Sequence, residues 1–413
     1  MLPSLHPFDL SIEPAISLVG EVAEHASPAL AAVSGRLART FLIRSPFAPA
    51  FCCIGAELPL DAQAAAANGA SRVSVTGNGE TARAALTACL GEAADLASQF
   101  EREGDVVAHG PAAGLPTAVA RGWPSVVGAA SGRDLDWVAA VEAGSDRAVL
   151  LPADLCLRRL ASQRAIEPVG ALSSGAAAGP TRAAAALRAL LELCERDAAA
   201  MWWLGGRLPR SLPQSSPAGA QAAALLARLR AGQAERRSIL LDITSELGVP
   251  AFAAVSTDED GRGLACGLAA RLDPGEAVQA AILEMCQMEM SAPLAAAKRA
   301  ERGEAGLNEA DRRHLARASF AAGDLALLHP PEASRSSEPP DWVGGGLDGL
   351  LAHLKEQGID VFLHDLTRPD IGVPVMRALA PHLQPFAATV ITERLQRCRR
   401  AAGANLVEGV PLF

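Results

Sequence analysis

Residues Ser173–Trp203 read SSGAAAGPTRAAAALRALLELCERDAAAMWW. The stretch opens on a Ser/Gly-rich turn, breaks at Pro180 and runs on as an uninterrupted Ala/Leu segment, which predicts a helix starting just after the proline. Residues three and four apart share a helix face, so Glu192 projects beside Glu195 and Arg196. Neighbouring carboxylates repel unless a cation sits between them. A hard cation such as Mg²⁺ takes oxygen ligands and brings phosphates with it, and a guanidinium matches phosphate oxygens bidentately. These are the groups of a metal–nucleotide site. They are also compatible with a plain solvated face, since each such ion pair contributes only about 0.3–0.5 kcal/mol when exposed.

Other segments follow in a definite order. VLLPADLCL (Val149–Leu157) has the form of a strand and turn ahead of the central block, and GLAARLDPGEAVQAAILEMCQ (Gly267–Gln287) contains a second apolar helix carrying Glu284 and Gln287. DLTRPDIGVPVMRALAP (Asp365–Pro381) forms a late strand with a proline-containing close. Together with the S-x-G-x-A-A-G-x-T, L-L-E-L-x-E-R-D-A and W-W elements of the central block, this series resembles the YcaO family. The ordered blocks span Thr76 to Pro381. The resemblance implies an α/β (α+β) fold of mixed, mostly antiparallel sheets whose Glu-bearing helices line a central cleft. It also implies an ATP- and Mg²⁺-dependent protein that activates backbone amides of ribosomal precursor peptides for azoline, thioamide or amidine formation.

The first site helix implied by the resemblance lies in TGNGETARAALTACLGEAADLASQF (Thr76–Phe100). Gly77 and Gly79 keep the family's glycine turn and Glu92 its first carboxylate. Asp95 replaces the second carboxylate, Leu96 an arginine and Asn78 a lysine. Arg188 stands in place of a glutamine ahead of Glu192, and is expected to pair with Glu192 at i,i+4; Glu289 stands where an arginine commonly follows Gln287. The implied cofactor-binding set is Glu92, Asp95, Arg188, Glu192, Glu195, Arg196, Glu284 and Gln287, with Glu92, Asp95, Glu192 and Glu195 as metal ligands; no catalytic residue is assigned. Loss of cations weakens a triphosphate site more than a metal site, because the phosphate charge needs neutralising. The alternative function is therefore a catalytically degenerate scaffold or peptide-binding subunit of a modification complex.

With 413 residues, half of them hydrophobic, the chain is long enough for one large core or two. Aromatics are 4%, tyrosine is absent and the net charge is −9, which argues against nucleic-acid binding by stacking or phosphate neutralisation. The eight cysteines, at 52, 53, 89, 156, 194, 266, 286 and 398, show no C-x-x-C and no histidine at zinc spacing, so they read as free, mostly buried thiols of a cytoplasmic protein. No basic start precedes an apolar run, and no apolar window is long enough to span a membrane.

Along the chain, residues 1–65 read as an N-terminal segment packed on a main body of 66–413, containing an amphipathic helix around Ala15–Leu37 and a hairpin in RTFLIRSPFAPAFCCIGAEL. DVVAHG, SVVGAA and RAVLLPA read as short strands interleaved with a helix around Asp134–Ala143, and the segments near 207–220 and 327–346 as exposed loops. Gly77-x-Gly79-x-x-Ala82 is a weak dinucleotide-binding fingerprint, and His109 and His364 are isolated histidines whose usual role is a hydrogen-bonded rim or core position. Members of a family of this kind usually need a partner protein for leader recognition or sulfur delivery. Nothing in residues 1–65 resembles a separate leader-binding module, so substrate capture is expected to depend on a partner or a homodimer surface.

Overall fold

The computed structural model describes residues 12–14, 27–115, 132–145, 147–331, 345–386, 390–403 and 412. Fourteen strands are found among them: β1 (Ile12–Pro14), β2 (Arg39–Arg44), β3 (Cys52–Pro59), β4 (Arg72–Gly79), β5 (Val106–Gly110), β6 (Leu135–Glu142), β7 (Arg147–Pro152), β8 (Ala176–Ala178), β9 (Arg210–Ser211), β10 (Arg237–Asp242), β11 (Ala251–Thr257), β12 (Ala265–Ala270), β13 (Phe362–Asp365) and β14 (Val375–Leu379). The helices are α1 (Pro28–Ser34), α2 (Ala62–Asn68), α3 (Ala82–Ser98), α4 (Ala153–Cys156), α5 (Arg182–Trp203), α6 (Pro217–Arg230), α7 (Pro274–Glu289), α8 (Ser291–Arg302), α9 (Glu309–Ser319), α10 (Gly346–Glu356) and α11 (Glu393–Ala402).

The strands form three sheets, ordered β1-β2-β3-β4, β12-β11-β10-β9 and β5-β6-β13-β14-β8, with β7 on the other edge of β6. Every ladder between these strands is antiparallel. Helix α3 packs on β3 and β4, α7 on β11 and β12, and the long α5 lies between β14 and β8 on one side and β12 on the other. Each of these helices starts at a side-chain cap: Thr81, Thr181 and Asp273 accept from the N–H of Ala84, Ala184 and Glu276. The far end of α5 anchors the largest core, where Trp202 and Trp203 meet edge-to-face at 5.1 Å and the indole of Trp202 donates to Leu327 O.

Two glycines explain how the outer Glu-bearing helices seat so closely. A Cβ on Gly77 of β4 would lie 2.1 Å from the N of Cys89 and 2.3 Å from the O of Ala85. A Cβ on Gly267 of β12 would lie 2.2 Å from the N of Met285 and 2.3 Å from the O of Ala281. In both cases the helix backbone rests directly on the strand, and β3-β4-α3 and β11-β12-α7 are each an antiparallel strand pair followed by a helix, the first pair joined through α2. Gly77 therefore serves strand–helix packing in an antiparallel strand pair and not a parallel dinucleotide-binding unit.

Several local expectations are corrected. The segment around Asp134–Ala143 is strand β6, not a helix: Leu135, Trp137 and Val138 are buried between ladders on both sides, and burial overrides the helix preference of its alanines. The 207–220 segment is not a plain loop, because it holds β9 and the start of α6, capped by Ser216 with Pro217 in the first turn. Within 327–346, Leu327 and Leu328 are core residues and 332–344 lie outside the described residues. The SVVGAA run and residues 15–26 also lie outside them, and the helix read around Ala15–Leu37 is described as α1 alone.

Gly77→Ala and Gly267→Ala are each expected to destabilise the protein by about 1–3 kcal/mol through overpacking. Gly91→Ala, whose Cβ meets nothing within 4 Å, serves as the mid-helix control and is expected to be neutral or stabilising. Calorimetric midpoints measure the difference, and equal midpoints for all three would show that the close approach carries no energetic weight.

Candidate functional site

Glu92 and Asp95 leave α3 one turn past the Gly77 contact, Glu192, Glu195 and Arg196 leave the middle of α5, and Glu284 leaves α7 beside Gly267. Glu192 accepts from the Gly175 N–H at 3.2 Å, with Gly175 in the left-handed region at φ +78°. Glu195 accepts from Ala270 N and Glu284 from Leu268 N, each at 3.2 Å. Those two donors are alternate residues of β12, the edge strand of its sheet, so two carboxylates from different helices cap one strand edge.

Arg196 sits among the three. It lies 3.5 Å from Glu192 and 3.4 Å from Glu195, and Glu195, Glu192 and Glu284 together hold its guanidinium charged against the opposing effect of burial. The field extends to α3: Glu92 acts on both Asp95 and Glu192. Glu92 is exposed, and Glu192 and Arg196 keep about a quarter of their side-chain surface open, while protein surrounds all three, the signature of a concave wall. The helices thus turn their carboxylates into one cleft.

Burial first and the Glu92 charge second push Asp95 up to about 7. Burial does the same for Glu192 despite the opposing Arg196, and for Glu284 with the help of Glu195. Glu92 and Glu195 are also raised by burial, opposed at Glu92 by Arg158 and at Glu195 by Arg196 and Arg271. Asp95 Oδ2 accepts from Gln99 at 3.0 Å, whereas its buried Oδ1 has no hydrogen-bond partner. An all-oxygen donor set with an unpaired buried carboxylate oxygen fits a hard divalent cation. As the side chains stand, no three His, Cys, Asp or Glu among the described residues are close enough to hold one ion together.

Four other residues carried over from the sequence have different roles. Arg188 is exposed and donates to Ala178 O at 3.1 Å; the expected pairing with Glu192 is not formed, because Glu192 pairs with Arg196. Gln287 accepts from Asn78 at 2.6 Å and donates to Thr76 Oγ1 at 2.9 Å, tying α7 to β4. Glu289 is buried and gripped by both terminal nitrogens of Arg230 at 2.6 and 2.7 Å and by Ser256 Oγ at 2.6 Å, so its charge is neutralised inside the fold. Leu96 is half-buried and packs against the core cluster beneath α3.

Two cations were missed by the sequence reading. Arg158, just past the VLLPADLCL block, donates to Gln99 at 2.9 Å and acts on Glu92 and Asp95. Arg377, inside the VPVMRALAP stretch of β14, is buried, donates to Ser174 O and Leu172 O, and acts on Asp95 and Glu192. Their positions within or beside the recognised blocks were the available signal. His109 bonds Asp136, and His364, the cross-strand neighbour of Arg377, bonds Ala139 O.

The family model described as YcaO cyclodehydratase, ATP- and Mg²⁺-binding, matches residues 76–384. The chain belongs to the YcaO family. An uncharacterized protein of Methanothermobacter thermautotrophicus is 29% identical over 283 residues, 65% of this chain and 70% of that protein. Among solved structures, a heterocyclase in complex with substrate and cofactor superposes with a TM-score of 0.68 at 20% identity over 94% of this chain, which spans 56% of that heterocyclase. The YcaO protein of Methanopyrus kandleri bound with AMPPCP and Mg²⁺ gives 0.57 at 20% identity, with 84% of this chain and 86% of that one covered. The E. coli microcin synthetase McbBCD complex gives 0.59 at 14% identity, covering 80% and 84%. These likenesses establish the fold of this YcaO member.

The raised carboxylates set a direction for stability. Asp95, Glu192 and Glu284 titrate near 7 when folded and near 4 when unfolded, so the folded chain binds more protons between those values and loses stability as pH rises from about 4 to 7. Thermal melts without metal are expected to show a falling midpoint across that window, with the slope reduced in Glu192→Gln and Glu284→Gln. A slope unchanged by both substitutions would assign the pH effect elsewhere.

Proposed function

We propose that this YcaO protein uses ATP and Mg²⁺ to activate a backbone amide of a ribosomal precursor peptide for azoline or thioamide formation. The observation that carries this reading is the gathering of Glu192, Glu195 and Glu284 around Arg196, with Glu92 and Asp95 of α3 close enough to act on Glu192. Glu92, Asp95, Glu192 and Glu195 would hold Mg²⁺, while Arg196, with Arg158 and Arg377 nearby, would hold phosphate. MgATP supplies, when bound, the phosphoryl group that turns an amide oxygen into a leaving group for a Cys, Ser or Thr side chain or an external sulfide. This chain's own contribution is positional and electrostatic. Arg196 stays charged under burial because three carboxylates face it, and the N–H groups of Gly175, Leu268 and Ala270 fix those carboxylates in place.

A second reading, a catalytically degenerate scaffold or peptide-binding subunit, is favoured by Leu96 packed against the core and by Arg188 turned to the backbone of β8. Arg158 and Arg377 weigh against it, because they bring cationic charge to the side of the cleft where Leu96 brings none. Titration calorimetry with MgATP separates the two. Binding that needs Mg²⁺ and is weakened roughly tenfold or more in Arg196→Gln is the expected result. No heat at millimolar nucleotide would leave the scaffold reading in place.

The proposal extends to a cytoplasmic setting in which residues 1–65 pack on the main body and a partner protein, or the surface of a homodimer, captures the substrate. A fold-level parallel supports the partner: the McbBCD neighbour is itself a complex, solved also with pro-MccB17 bound. No described helix is long and apolar enough to cross a membrane. Incubated alone with MgATP and a leader-bearing precursor, the purified protein is expected to leave the peptide mass unchanged, and to lower it by one water per azoline once co-purifying protein is added. Conversion by the isolated monomer would remove the need for a partner.

A further inference from the structure

Beside the carboxylate cleft, on the face of α5 turned toward β14, lies a half-open pocket. Leu155, Val169, Leu193, Leu383 and Val390 are among the residues that line it, and the charged side chains of its wall are Arg196 and Arg377. These are the same two arginines that face Glu192, so the apolar chamber and the carboxylate cleft share a wall.

Its walls are built to hold their shape. Gln384 donates to Pro385 O and Val390 O and accepts from both the N–H and the hydroxyl of Thr392, which ties Gln384 to Val390 and Thr392. Asp197, next to Arg196 on α5, accepts from Gln384 N and from Arg394 of α11, and so pins both residues to the helix. The opposite wall is the loop ahead of β8, where a Cβ on Gly170 would lie 3.2 Å from Cβ of Pro385. Because the Gln384 amide is spent inside the wall, the lining recognises apolar shape and has little to offer a nucleobase edge.

We infer that this cavity seats a large apolar side chain of the peptide, from a residue adjacent to the amide that is activated, an assignment that rests on the peptide-activation reading above. An apolar residue anchored there places the neighbouring peptide bond at Arg196 and Arg377, where phosphate is held. The protein then selects sites flanked by Leu, Ile, Met or Phe over sites flanked by Gly or Asp. Burying such a side chain is large enough to give roughly tenfold discrimination or more.

The test uses the full chain and fluorescein-labelled peptides Gly-Xaa-Cys-Gly-Gly, with Xaa as Leu, Phe, Gly or Asp, measured by fluorescence polarisation with and without MgATP. The expected result is at least tenfold tighter binding of the Leu and Phe peptides, a preference abolished in Val169→Trp, which fills the mouth, with MgATP affinity by calorimetry unchanged within twofold. Circular dichroism confirms that the variant is folded, and Leu383→Trp fills the same cavity from the other wall if it is not. Equal binding of all four peptides would overturn the inference, as would a loss of nucleotide affinity in a folded cavity-filled variant, which would give the chamber to the adenine instead. Absence of MgATP binding to the unaltered protein refutes the peptide-activation reading itself, and the nucleotide-free comparison of Leu with Gly peptides then still decides whether the cavity selects apolar side chains.

Discussion

Arg196 is the charge on which the architecture of the cleft turns. Two carboxylates about 6 Å apart repel by roughly 3 kcal/mol at an effective dielectric of about 20, several times what a solvated i,i+4 pair returns. Two helices nevertheless deliver Glu192, Glu195 and Glu284 to one place. The guanidinium among them, together with one backbone N–H for each carboxylate, offsets that repulsion. Part of the remainder is relieved by proton uptake, since Glu192 and Glu284 titrate near 7. A cleft kept in that condition responds strongly to any added cation.

The scaffold beneath it is made by close backbone packing. Gly77 and Gly267 let α3 and α7 lie directly on their strand pairs, and the capping threonines and aspartate set where each helix begins. The Asn78–Gln287–Thr76 bridge then joins the two units, and the Arg230–Glu289–Ser256 cluster locks α6 and α7 over β11. In this chain residues that depart from the family pattern have been absorbed into that structural role. Glu289 is the clearest case: its charge is bound inside the fold by Arg230 and Ser256.

Much of the site could be read from the chain because it is local. Glu192, Glu195 and Arg196 fall on one helix face by periodicity, and Glu284 follows an apolar helix pattern of the same kind. Arg158 and Arg377 could not be reached that way. Their nearest carboxylates lie some sixty residues or more away in sequence, and no periodic rule relates positions across separate elements. The misreading of β6 has the same origin. Its alanines favour a helix locally, and only the ladders with β5, β7 and β13 make an extended backbone the lower-energy choice.

The sequence by itself determined the family, the antiparallel hairpins and the helices that bear the carboxylates, because each rests on short-range patterns of apolar spacing, caps and glycines. Tertiary structure alone decided which cations face which acids: Arg188 is drawn to a strand carbonyl, Arg196 to three carboxylates, and Arg377 to the wall shared by cleft and cavity. The reason is physical. Electrostatic partnership depends on distance and burial, and both are set by how the sheets and helices pack together, whatever the order of residues along the chain.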